Sequence, residues 1–149
     1  HTRYPIVLPE RVDLGLLDWL QGVPLQKVVV ILANHAREID ESVRQACRRL
    51  SAAGVTLLNQ GVLLAGINDS VAALAELSEA LFETHVLPYY LHVLDKVQGA
   101  AHFDLPETRA LELHRELTAR LPGYLVPKLV REVAGAPSKS AVVGPDRVA

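Results

Sequence analysis

Between residues 87 and 106 the sequence runs LPYYLHVLDKVQGAAHFDLP, an apolar stretch followed at once by His92, Asp95, Lys96, Gln98 and His102. Imidazole, carboxylate, amine and amide groups set this closely can hold a ligand or move a proton. Similar polar groups follow other apolar runs: Asn34 and His35 after VVVILA, Asn59 and Gln60 inside VTLLNQGVLLAG, and Glu132 after KLVR. Lys139 stands in a stretch of small residues, GAPSKS. Each has a plain structural alternative. Asn34 and His35 can cap a helix, and a buried amide pair must be hydrogen-bonded to backbone or to ligand. His92 fits a satisfied core histidine, Glu132 a surface ion pair and Lys139 a solvated lysine. Asp95 is harder to dismiss, because a carboxylate directly after a buried strand requires a cationic partner.

The elements that must carry these residues follow from hydrophobic period. YPIVLP (4–9) reads as a strand bracketed by prolines, and 12–22 as a helix with Asp13 as its cap. KVVVILAN (27–34) is a β-branched run of the kind covered on both faces. A helix over 40–54 places Val43, Ala46, Cys47, Leu50 and Ala53 on one side. A strand lies within 55–66, a helix capped by Asp69 or Ser70 spans 68–85, and 88–94 is a further strand. Asp104 and Glu107 have capping-box spacing at the start of a helix closed by Pro122–Gly123. Residues 124–133 form a last strand or an irregular connection, and 134–149 a loop and tail. Alternating strands and helices predict an α/β fold with a parallel sheet. The polar residues gather after successive strands, which is where (β/α) barrels place their chemistry, so a partial barrel of the (β/α)8 type is expected.

Bulk properties narrow the field. With 149 residues, net charge −2 and half its residues apolar, the chain is expected to be globular, with no electrostatic reason to bind nucleic acid or an anionic membrane. No apolar run reaches membrane-spanning length. A single cysteine, Cys47, excludes an internal disulfide and fits a reducing, cytoplasmic setting. It falls on an apolar helix face, as an inert thiol would. No Gly-x-Gly-x-x-Gly, phosphate loop or Gly-x-Ser-x-Gly elbow is present, and His85, His92 and His102 lack metal-ligand spacing. The chain begins HTRYPIVLPERV and contains no methionine, so it reads as entered mid-stream.

Four stretches, HTRYPIVLPERV, GVTLLNQGVLLAGINDS, YYLHVLDKVQGAAHF and PGYLVPKLVREVAGAPSK, resemble consecutive segments of the lysine 2,3-aminomutase family. The wording HVLDKVQGAAHF and the ending GAPSK are similar to the branch that supplies (R)-β-lysine for modifying elongation factor P. The resemblance covers nearly the whole chain and is to the carboxyl-terminal half of the enzyme. It implies a radical S-adenosylmethionine barrel that also uses pyridoxal phosphate and a [4Fe-4S] cluster, and that moves the α-amino group of L-lysine to C3.

Matched position by position, the resemblance gives Lys139 the role of the lysine that condenses with pyridoxal phosphate. Asp95 and Glu132 become holders of the distal ammonium of L-lysine. Asn59 and Gln60 fall near S-adenosylmethionine, and Tyr89, Tyr90 and His92 line the cofactor pocket. Leu32 departs from the pattern, because relatives often have a histidine there. The cluster-binding Cys-x3-Cys-x2-Cys loop and the arginine-rich segment are not in this sequence. No metal ligand is therefore assigned, and the expected domain division is 1–133 for the barrel units and 134–149 for the lysine loop and tail. The expected partner is the remaining amino-terminal part of the enzyme, and self-association into a homo-oligomer is compatible with open strand edges. On its own the chain is expected to be inactive. Two alternatives stay open: a non-catalytic binding or scaffold domain of the same fold, and a pyridoxal phosphate barrel enzyme that works without radicals.

Overall fold

A computed structural model describes residues 1–94 and 101–144 of the chain. Its amino-terminal segment departs from the expected strand: α1 is a one-turn helix, Tyr4–Val7, followed by a 3-10 turn over Pro9–Arg11. The prolines explain the change. Pro5 sits at the start of α1 and Pro9 at the start of the 3-10 turn, where a fixed φ suits the first turn and the missing N–H is no loss. Helix α2, Leu14–Gly22, then starts as expected, with the Asp13 carboxylate accepting from the Leu16 N–H at 2.9 Å.

Strands and helices alternate from there: β1 (Lys27–Ile31), α3 (Glu41–Ala52), β2 (Val55–Leu63), α4 (Val71–Phe82), β3 (Val86–Val93), α5 (Glu107–Arg120), β4 (Lys128–Arg131) and β5 (Ser140–Ala141). The sheet runs in sequential order from β1 to β5, parallel through β4, with β5 antiparallel at the edge. Sequential parallel strands are what consecutive units of a (β/α) barrel produce. Asp40 and Ser70 cap α3 and α4 through bonds to Val43 N and Ala73 N. The expected capping box at α5 does not form. Pro106 occupies the cap position without a side-chain bond, and Glu107 instead pairs with Arg131 on β4.

Period-two alternation divides the sheet into two faces. Val29, Ile31, Leu57 and Val86 pack against Val43, Ala46, Cys47 and Leu50 of α3 in one cluster. Leu63, Leu91, Val93 and Leu129 pack against Leu74 of α4 and Ala110, Leu113 and Leu117 of α5 in a second. Each fully buried leucine contributes on the order of 1.5–3 kcal/mol. The opposite face carries Val28, Thr56, Leu58 and Leu87 and is only partly covered; Val28 is 56% exposed.

Candidate functional site

The uncovered face becomes polar toward the carboxyl ends of its strands, and strand register decides which side chains meet there. Gln60 pairs with Tyr90, which pairs with Lys128, and Val62 pairs with His92, which pairs with Val130. An irregularity at Tyr89 makes this possible. Asn59 is opposite Pro88, but Gln60 is opposite Tyr90, so β3 carries one extra residue. Pro88 cannot donate to the ladder, and a bulge absorbs the mismatch. The parity shift turns Leu91 and Val93 toward the helices and Tyr90 and His92 onto the same face as Gln60. Tyr89 and Tyr90 end side by side, their ring centroids 4.1 Å apart.

The groups on this face are mutually engaged. His92 Nε2 lies 3.2 Å from Gln60 Oε1, and the His92 ring meets Tyr90 edge-on at 5.9 Å. Lys128 Nζ lies 5.3 Å from the centre of the Tyr89 ring, and Lys139 Nζ lies 5.8 Å from that of Tyr90. Lys139 Nζ donates to Glu132 Oε1 at 2.6 Å. The hairpin register produces this last contact. Val130 faces Ala141 and Arg131 faces Ser140, so continuing the ladder one step sets Glu132 opposite Lys139. The turn between them is closed by the Ala136 N–H donating to Val133 O at 3.0 Å, with Gly135 at φ 81°. That φ lies in the left-handed region open to glycine.

Electrostatics follows contact. The hydrogen bond and charge of Lys139 hold the Glu132 carboxyl below the ordinary glutamate value, with a smaller contribution from His92. The Tyr90 phenol is pushed up, first by its hydrogen bond with Tyr89 and then by burial. A primary amine beside a carboxylate, flanked by aromatic rings, can receive a flat carbonyl compound and condense with it.

Other expected site residues stand elsewhere. Asn59 is 3% exposed, and its amide is engaged on both sides: Oδ1 accepts from Ala33 N at 2.9 Å and Nδ2 donates to Ala33 O at 3.0 Å. Expected beside Gln60 at a cofactor, it instead fastens β2 to the end of β1, because adjacent strand residues face opposite ways. Asn34 has the same fate, its Oδ1 accepting from Val62 N at 2.8 Å. His35 and Glu38 form a reciprocal cap on the turn Ala36–Glu38. His102 is exposed and lies against Phe103. Leu32 is half-buried. Asp95 lies outside the described residues, as do Lys96 and Gln98.

Two residues that the sequence did not single out complete the strand ends. Asn68, 1% exposed, accepts from Leu64 N and donates to Asn34 O and Val62 O. A Cβ on Gly61 would stand 3.2 Å from Ala33 O, so glycine lets β2 approach the end of β1. The signal for Asn68 was an asparagine one residue before the Asp–Ser pair at a helix start. Nothing in the local pattern marks Gly61.

The donor set bears on what could be held. Lys139 with Tyr90 suits the aldehyde end of a flat cofactor. An iron–sulfur cluster does not fit: Cys47 is the sole cysteine of the sequence, it is fully buried on α3, and burial pushes its thiol up to about 11. Among the described residues no group of three His, Cys, Asp or Glu side chains could hold a metal ion, and no helix is long and apolar enough to cross a membrane.

No family model matches the chain. Similar proteins do. It is 53% identical over 140 residues to the L-lysine 2,3-aminomutase of Escherichia coli K12, covering 94% of this chain and 41% of that protein. The L-lysine 2,3-aminomutase of Haemophilus influenzae is 49% identical with the same coverage, and that of Clostridium subterminale is 36% identical over 142 residues, 95% of this chain and 34% of its own length. The chain therefore spans about two fifths of the first two relatives. Among solved structures, a radical SAM methyltransferase from Sphaerobacter thermophilus superposes with TM-score 0.56 at 23% identity, over 78% of this chain and 37% of that one, which supports the fold alone.

Proposed function

The chain belongs to the lysine 2,3-aminomutase family over nearly its whole length, and from that premise we propose that it forms the carboxyl-terminal part of such an enzyme's barrel. The complete enzyme would move the α-amino group of L-lysine to C3, yielding β-lysine. The observation that carries this reading is the convergence of Gln60, Tyr90, His92, Glu132 and Lys139 on one face of the sheet at the strand ends.

Each side chain then has a task set by its surroundings. Lys139 presents its amine to an aldehyde, and Tyr89, Tyr90 and His92 give that aldehyde's ring a flat, partly dry bed. Glu132, with Asp95, takes the distal ammonium of L-lysine. Carboxylates dedicated to that ammonium select chain length, because a shorter diamino acid would leave a carboxylate unpaired. Gln60 offers an amide toward S-adenosylmethionine; with Asn59 committed to Ala33, Gln60 alone carries that assignment. Pyridoxal phosphate, when bound, would delocalise unpaired spin, and S-adenosylmethionine with a cluster would supply a hydrogen-abstracting radical. The protein's share is orientation and exclusion of water.

The cluster ligands must come from the remaining amino-terminal part of the enzyme, which is the partner this reading requires. Higher identity to the Escherichia coli and Haemophilus influenzae enzymes than to that of Clostridium subterminale supports the elongation factor P branch. A cytoplasmic setting is proposed with it. A second reading, a binding domain that has shed the chemistry, draws on Leu32, which stands where relatives often have histidine.

The test is borohydride reduction of the complete enzyme loaded with pyridoxal phosphate, followed by peptide mass mapping. The cofactor is expected on Lys139, and Lys139→Ala should abolish it. An unmodified Lys139 would remove the enzymatic reading.

A further inference from the structure

Glu132 meets one cation in this structure and, on the reading above, must meet another. Its Oε1 accepts from Lys139 Nζ at 2.6 Å, with Lys139 25% and Glu132 56% exposed. Among the described residues no second lysine or arginine pairs with Glu132, and no second carboxylate pairs with Lys139. The β4–β5 register, continued one step past Arg131 and Ser140, brings the two residues opposite each other.

We infer that Glu132 serves the two cations in turn, holding Lys139 until an aldehyde is captured and then receiving the alkyl cation of the substrate. This rests on the assignment of Lys139 as the aldehyde-capturing amine. Capture needs the nitrogen lone pair, so Lys139 must first release one ammonium proton to water. The lone pair then attacks the aldehyde carbon, and the amine's two remaining protons leave with the carbonyl oxygen as water. A C=N bond replaces C=O and no electrons change hands. Lys139 thereby loses the ammonium donors that Glu132 had accepted, and the carboxylate is left for another cation. The exchange is reciprocal: any cation that occupies Glu132 frees Lys139, so aldehyde capture and cation binding help each other. A residue that sets substrate chain length thus also sets the order of loading.

The test is trace acetylation of the complete enzyme with acetic anhydride, read by peptide mass mapping with Lys27 and Lys128 as internal references. n-Butylguanidinium is the cation probe, since it pairs with carboxylates but does not condense with aldehydes. Glu132→Gln is expected to raise Lys139 labelling about two- to fivefold, the range of a partly exposed ion pair. Glu132→Asp, which keeps the charge, should stay near the wild type. The guanidinium should raise labelling of the wild type and leave the Gln variant unchanged. Equal labelling of wild type and Gln variant, or the same guanidinium response in both, overturns the inference. Borohydride trapping with pyridoxal phosphate separates the two readings. An adduct on another lysine removes the assignment of Lys139, while acetylation still decides whether Glu132 restrains it.

Discussion

Asn59 and Gln60 are neighbours of one chemical type with opposite fates. Gln60 shares a face with His92, whereas Asn59 spends its whole amide on the Ala33 backbone. Asn59→Leu should therefore destabilise the fold by about 1–3 kcal/mol for each Ala33 group left dry. Urea unfolding would measure it, and a loss below that of Gln60→Ala would contradict the assignment. A second expectation concerns pH. The Glu132 carboxyl is depressed chiefly by its hydrogen bond from Lys139. The pair's contribution is thus complete above the ordinary glutamate range and fades as pH falls through the lowered value. A carboxyl NMR titration should place Glu132 below the ordinary glutamate value, and Lys139→Ala should bring it back up. A midpoint unmoved by that substitution would show that Lys139 is not the cause. Residue type alone announced that these groups were out of place in apolar runs. It could not say which face each took, because the extra residue at Tyr89 resets the parity of β3.

The elements themselves were largely legible, for local reasons. The β-branched run marked β1, and Asp13 and the Asp69–Ser70 pair marked two helix starts, of which the structure uses Asp13 and Ser70; Asp40 caps α3 without having been singled out. The misreadings came where proline acts as a starter. YPIVLP has strand composition, yet Pro5 opens α1, and Pro106 takes the cap position that Asp104 was expected to fill. The short strand β5 was hidden inside an expected loop, since two residues carry no period; its tertiary support comes from Val142, whose N–H donates to Leu129 O at 3.0 Å. Val142→Pro deletes that bond. It should leave the rest of the sheet intact while loosening the hairpin, seen as faster proteolysis within 133–138 and lost Lys139–Glu132 pairing. Unchanged cleavage would mean that the turn holds itself.

At the scale of the whole molecule the sheet is finished on one side and open on the other. β5 covers β4 on one side, whereas among the described residues β1 has β2 as its one strand neighbour, with a backbone bond from Thr2 N to Val30 O at its free side. Val28 and Leu87 on the uncovered face, and Leu14, Trp19 and Leu25 near the amino terminus, are exposed. Open edges and apolar surface together favour association. The 149-residue chain alone should form concentration-dependent oligomers by light scattering and should convert no L-lysine to β-lysine when supplied with both organic cofactors. Turnover by the chain alone would refute the proposal that a second portion is required.

The β4–β5 hairpin separates two design problems. Because Glu132 and Lys139 stand opposite each other through strand register, the six residues between them need only reverse direction. Doubling such a span costs only about 0.6 kcal/mol in closure entropy. The segment can thus drift in length while the distance from amine to carboxylate is inherited unchanged.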